Sequence, residues 1–172
     1  MRKHKILFAA AGILLAVMLV LSSCAGKGTG ETAPETVQES QLIKIGMDYG
    51  EAIAVLDAAG VKHFNDGGCI FFEEPDGRSA IAYFEGENTK ATEVDFFPRV
   101  ETTQEAFSSV QKGMSLSELV RTVGLPIASR TFGVDSLYFE CADGTGYDVS
   151  LRRDNIDAVK DRYVDGVRKT PE

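Results

Sequence analysis

The sequence predicts an α+β fold in which two tandem helix-plus-antiparallel-strand repeats form one curved sheet with helices packed on one face. Three observations carry that expectation: a phrase that recurs 67 residues on, a change from helical to alternating apolar spacing within each copy, and an Asp-Gly turn at the same place in both.

The phrase is "IGMDYGEAIAVLDAAG", Ile45 to Gly60, which returns as "KGMSLSELVRTVGLP", Lys112 to Pro126. Gly46, Met47, Glu51, Phe72, Glu73 and Asp76-Gly77 recur as Gly113, Met114, Glu118, Phe139, Glu140 and Asp143-Gly144. The same ungapped offset carries Asn88 to Asn155 and Ala91 to Ala158, with Ile70/Leu137, Phe71/Tyr138 and Phe96/Tyr163 as conservative matches. The expectation is a duplication, with residues 42–100 as the first repeat and 101–172 as the second, the two forming one domain.

Each copy opens on a helix. Ser115 and Glu118 have the spacing of a capping box, and Asp48 with Glu51 stands in the same places upstream. Leu116, Leu119, Val120 and Val123 form an apolar stripe at helical spacing that ends at Gly124-Leu-Pro126, while Ala52, Ile53, Val55 and Leu56 lead to Gly60. A short helical turn is expected before Gly-Met, most clearly in "TQEAFSSV", Thr103 to Val110.

The period then becomes two. "CIFFEEPDGRSAIAYF", Cys69 to Phe84, and "LYFECADGTGYDVSL", Leu137 to Leu151, each read as strand, Asp-Gly turn and strand, followed by "ATEVDFF", Ala91 to Phe97, and "AVKDRYV", Ala158 to Val164. The acidic "DGTGYD" lacks a full calcium-loop ligand set, so a turn is expected there.

Alternation sorts these strands by face. Ile70, Phe72, Ala80, Ala82 and Phe84, with Leu137, Phe139, Tyr147, Val149 and Leu151, are expected against the helices. The other parity holds Phe71, Glu73, Ile81 and Tyr83, with Tyr138, Glu140, Asp148 and Ser150. Aromatics and acids grouped on an open sheet face suggest a protein-binding surface; strand propensity alone would also supply the aromatics.

"GMSLSELVRTVGLP" followed by "SLYFECADGTGYDVSL" resembles the repeat of the β-lactamase inhibitor protein and of the SmpA/OmlA-type lipoproteins of outer-membrane assembly. The first copy departs from it, with "DAAGV" in place of Gly-x-Pro. The resemblance implies helices on one face of a curved sheet, a free concave face, and binding to proteins rather than catalysis. No inhibitory residue carries over, and the chain has no Trp.

The amino terminus gives an address. Arg2, Lys3 and Lys5 precede an uncharged apolar run from Ile6 to Leu21, and "LSSC", Leu21 to Cys24, resembles a lipobox. Residues 1–23 are expected to be a signal peptide and Cys24 the lipid attachment site, with an uncleaved anchor as the alternative. Residues 24–41, small and polar, read as a lipidated flexible linker. "GKGTG" within it lacks the strand and the Lys-Ser/Thr pair of a phosphate loop.

Cleavage would remove three of the 18 Lys plus Arg and none of the 26 Asp plus Glu, taking the formal charge from −8 to −11. Such acidity argues against nucleic acid and against broad adhesion to anionic lipid.

An enzyme is a weak alternative. His4 leaves with the signal, and His63 in "VKHFNDGG" cannot alone supply a His-based triad or a multi-histidine metal site. Glu73 and Glu140 form a conceivable hydrolase pair, but equivalent positions in two repeats are expected to stand apart. Cys69 and Cys141 fall on opposite parities and are expected to be unpaired thiols, with Cys141 in the core.

The function expected is therefore that of a lipid-anchored protein on a bacterial cell membrane, exposed outside the cytoplasm. It binds an envelope protein or peptidoglycan-associated partner through the open sheet face, with no cofactor, metal or nucleic acid. The alternative is a structural envelope assembly factor that binds through helices or strand edges.

Overall fold

A computed structural model describes residues 39–85, 90–130, 135–154 and 159–170, all within one unit, Val37–Glu172. The expected signal peptide and Cys24 lie outside the described residues. Where the linker was expected to reach Gln41, Ser40 is already buried: its hydroxyl donates to the Glu74 carboxylate and accepts from the amides of Leu42 and Ile43. Gln41 donates its amide to the other Glu74 oxygen at 3.2 Å, so the ordered domain includes these two residues.

Helix α1, Tyr49–Ala58, begins after Asp48, whose side chain makes no capping bond and lies 3.8 Å from Lys90 instead. It ends in a Schellman motif: Gly60 at φ 66° donates to Asp57 O and Val61 donates to Leu56 O. That stop replaces Gly-x-Pro. Helix α2, Gln104–Ser108, is capped by Thr103. Helix α3, Leu116–Val123, carries the full capping box: Ser115 Oγ accepts from Glu118 N, and Glu118 Oε2 accepts from Ser115 N at 2.8 Å. A cap of this kind stabilises a helix by about 1 kcal/mol. At its C-cap, Gly124 has φ 89°, and a Cβ there would stand 2.7 Å from Val100 O. Only glycine allows that approach.

The strands are β1 (His63–Asp66), β2 (Cys69–Glu73), β3 (Ser79–Glu85), β4 (Lys90–Phe97), β5 (Ala128–Ser129), β6 (Ser136–Glu140), β7 (Gly146–Arg153) and β8 (Arg162–Lys169). They pair in order as two four-stranded antiparallel sheets, β1-β2-β3-β4 and β5-β6-β7-β8, where one curved sheet was expected. Between them the chain turns into α2 and α3, and α3 packs between the sheets in place of an edge-to-edge join.

Some backbone hydrogen bonds take the same form in both halves. Gly46 donates to Ala91 O and Ala91 to Met47 O; Gly113 donates to Val164 O and Val164 to Met114 O. Glu74 donates to Arg78 O across the first Asp-Gly turn, as Cys141 does to Thr145 O across the second. The β-bulge at Tyr83/Phe84 reappears at Ser150/Leu151. One part of the ungapped alignment does not hold. Val164 makes the hydrogen bonds that Ala91 makes, so Phe96 and Tyr163 are not equivalent and β8 begins later than expected. Asn88, Asn155 and Ala158 lie outside the described residues.

The core has two parts. Ala52 and Leu56 of α1 pack with Ile43, Ile70, Phe72, Ala80, Ala82, Phe84 and Ala91 on one face of the first sheet. The larger cluster joins Phe71, Ile81, Tyr83 and Phe97 from the opposite face of that sheet to Leu116, Leu119, Val120 and Val123 of α3, and to Leu137, Phe139, Tyr147, Val149 and Leu151 of the second sheet. The helix-facing residues are thus where the alternation puts them. The face expected to be open in the first repeat is not: Phe71 is 1% exposed, and Ile81 and Tyr83 are fully buried. All three join the cluster that contains α3. The Tyr83 hydroxyl reaches Ser117 of α3 at 2.9 Å and donates to Asp95 at 3.2 Å, which ties sheet to helix through a polar contact.

A buried charge also joins the halves. Arg162, 2% exposed at the start of β8, donates from Nη1 to Asp66 Oδ2 at 2.5 Å and to Asp135 Oδ1 at 3.3 Å, and from Nε to Val159 O at 3.3 Å. Asp66 belongs to β1 and Asp135 precedes β6, so one guanidinium binds both sheets.

Cys69 and Cys141 are free and buried, both within the larger cluster. Their parities do differ. The two strands, however, present opposite parities to the same central layer. Burial pushes the Cys69 thiol up to about 11 and raises Cys141 as well. The folded state holds the Cys69 proton more tightly than the unfolded chain. Its contribution to stability is complete below the ordinary thiol pKa of 9.0 and is lost as pH rises through about 11. The native full-length chain should resist iodoacetamide at pH 8 at both positions and take up label at both in denaturant. Rapid native labelling of Cys69 would contradict its placement.

Candidate binding face on the second sheet

With α3 covering its inner side, the second sheet turns its other face outward, and the ladder register decides which side chains meet there. Arg130, just after β5, donates its amide to Ser136 O. Ser136 pairs with Ser150 and Ser150 with Gly166, while Tyr138 pairs with Asp148 and Asp148 with Arg168. One row is therefore small and the next is aromatic, acidic and basic.

The small row leaves a depression of about 460 Å³ whose lining includes Arg130, Ser136, Asp148, Ser150, Asp165, Gly166 and Arg168. Ser136 donates its hydroxyl to Arg130 O and Ser150 to Gly166 O, so both serines are fixed by backbone carbonyls. A Cβ at Gly146 would collide with the Tyr138 hydroxyl, so the ring lies across the glycine, and the Arg130 guanidinium stacks on that ring 3.8 Å from its centroid. Stacking holds Arg130 in place without consuming its charge.

Asp148 sits at the centre, 8% exposed. Its Oδ2 is 3.6 Å from Arg130 Nη1 and accepts from Arg168 Nη2 at 3.3 Å and Thr170 Oγ1 at 3.4 Å. Its Oδ1 is buried and has no hydrogen-bond partner among the described residues. Asp165 is held by Lys112 at 2.6 Å, which keeps its carboxyl below the ordinary aspartate range. With Asp165 paired to Lys112, the depression sets two guanidiniums against the single Asp148 carboxylate.

Of the residues expected on an open face, the structure brings Tyr138, Asp148 and Ser150 together here, with exposed Glu140 beside them. Phe71, Ile81 and Tyr83 belong to the core instead, and Glu73 lies on the first sheet, 3.5 Å from Arg99. Glu73 and Glu140 are therefore on different sheets, Glu140 on the outer face of the second and Glu73 on the parity that faces the inner layer. His63 is on edge strand β1, its Nδ1 3.1 Å from Val61 O. Among the described residues no group of three or more His, Cys, Asp or Glu could hold a metal ion, and no helix is long and apolar enough to cross a membrane.

Arg130, Arg168, Ser136 and Gly166 were not singled out from the sequence. Gly166 is the one with a local signal, a glycine inside a strand pattern, which marks a place where something approaches the backbone closely. Compared with protein-family models, curated proteins and solved structures, the chain matches none.

Proposed function

We propose that the chain is a lipid-anchored, non-catalytic protein-binding module of a bacterial envelope, built from two duplicated units and meeting its partner through the outer face of the second sheet. The matched Gly-Met hydrogen bonds and the matched bulges support the duplication. The lipobox-like "LSSC" supports the anchor at Cys24. One observation carries the choice of face. Both faces of the first sheet contribute to buried clusters, whereas Tyr138, Asp148, Ser150 and Arg168 belong to neither. A stacked aromatic, paired arginines and a shallow depression are the composition of a protein-recognition surface.

The test is crosslinking on intact cells that express the full-length chain, followed by affinity capture and mass spectrometry, beside a Tyr138→Ser/Glu140→Lys variant. One protein enriched by the native chain and lost with the variant, whose buried thiols stay protected, is the expected result. Equal capture by both would move the interface to the helices or to edge strands such as β4.

A further inference from the structure

The outer-face depression raises a narrower question, because its charges do not balance. Arg130 and Arg168 converge on one Asp148 oxygen, while Asp165, also in the lining, is engaged by Lys112. With Asp165 neutralised by Lys112 from outside the depression, two guanidiniums face one carboxylate, within a chain whose formal charge is −8. General acidity keeps a protein soluble and does not require a local cationic site. In the described contacts each guanidinium commits one nitrogen to Asp148, Nη1 from Arg130 and Nη2 from Arg168. A guanidinium has five N–H donors in a planar fork that matches a carboxylate, so each fork has donors for a second acceptor.

We infer that this depression is a carboxylate-binding site, and that its occupant is an acidic side chain of the partner protein. The inference rests on the protein-binding reading above and deepens it. Charge decides the class of anion. A single carboxylate beside Asp148 gives two negative charges against two positive ones, whereas a phosphate dianion would place excess negative charge next to a buried carboxylate. Space decides how it enters. Ser136, Ser150 and Gly166 leave about 460 Å³ over the small row, and the two serine hydroxyls donate to backbone, so recognition falls to the arginines. Pre-placement decides strength. Arg130 is stacked on Tyr138, so little freedom is lost when it takes a second acceptor.

The test is an NMR titration of the full-length chain in detergent micelles, with labelled arginine, using three probes. These are N-acetyl-glutamate N-methylamide, the matching glutamine compound, and acetate. Saturable shifts of the Arg130 and Arg168 guanidinium signals with the glutamate compound are expected, at least tenfold tighter than with glutamine and several-fold tighter than with acetate. Arg168→Gln should weaken binding about tenfold. Gly166→Leu, which fills the depression and leaves every charge in place, should abolish it. Protection of Cys69 from alkylation reports that each variant is folded. Equal binding of glutamate and glutamine compounds, or shifts elsewhere only, would overturn the carboxylate assignment. Acetate binding as tightly as the glutamate compound would overturn the partner side chain as occupant. The cell capture separates the two readings: capture that survives Arg130→Gln/Arg168→Gln defeats the carboxylate site and leaves the binding face standing. A successful titration with no captured protein defeats the face as a protein interface.

Discussion

Replacing Arg162 with alanine is expected to destabilise the protein by about 3–5 kcal/mol, because it strands two carboxylates and removes the buried link between the sheets. Arg162 is 2% exposed and touches Asp66, Asp135 and the Val159 carbonyl. A surface arginine would cost far less, commonly under about 1 kcal/mol. The measurement is the urea midpoint of the full-length chain at pH 7. The carboxylates left behind account for most of the penalty, so neutralising them in Arg162→Met/Asp66→Asn/Asp135→Asn should recover a large part of it. A midpoint for Arg162→Ala indistinguishable from the native one would mean that Arg162 is not buried between the halves.

Phe71→Ala is expected to cost about 3–5 kcal/mol, as for truncating a buried phenylalanine. Phe71 is 1% exposed, stacks on Phe64 with centroids 5.7 Å apart, and belongs to the cluster that contains α3. Tyr138 holds the equivalent position in the second half but faces outward, so Tyr138→Ala should cost under about 1 kcal/mol. The contrast between these two substitutions separates a first sheet covered on both faces from one with an open face. Similar small losses for both would restore the open-face arrangement.

That contrast also marks where the sequence was legible. Helix starts, Asp-Gly turns and helix-facing residues follow from local chemistry, and α1, α3, β2, β3, β6 and β7 stand where it puts them. The contact on Tyr83 comes from α3, more than thirty residues downstream, and Phe71 joins the same cluster, which parity within one repeat does not record. A signal was present nonetheless. "CIFF" and "AIAYF" are continuous apolar runs, the pattern of strands buried on both faces, whereas "YDVSL" in the second half alternates. Strands β1 and β5 are short and lack alternation, and their pairing with β2 and β6 is settled by register. The same holds for the proposed binding face: Arg130, Asp148 and Arg168 meet only through the β5-to-β8 ladder. Nothing local distinguishes buried Arg162 from the exposed arginines nearby.

The most direct measurement is hydroxyl-radical footprinting of the full-length chain, purified and on intact cells, read at Tyr138, Phe71 and Tyr83. The expected result is that Phe71 and Tyr83 stay unmodified in both states, while Tyr138 is modified in the purified chain and protected on cells. Modification of Phe71 or Tyr83 in the folded purified chain, or equal modification of Tyr138 in both states, would contradict a single outward sheet face that carries the partner.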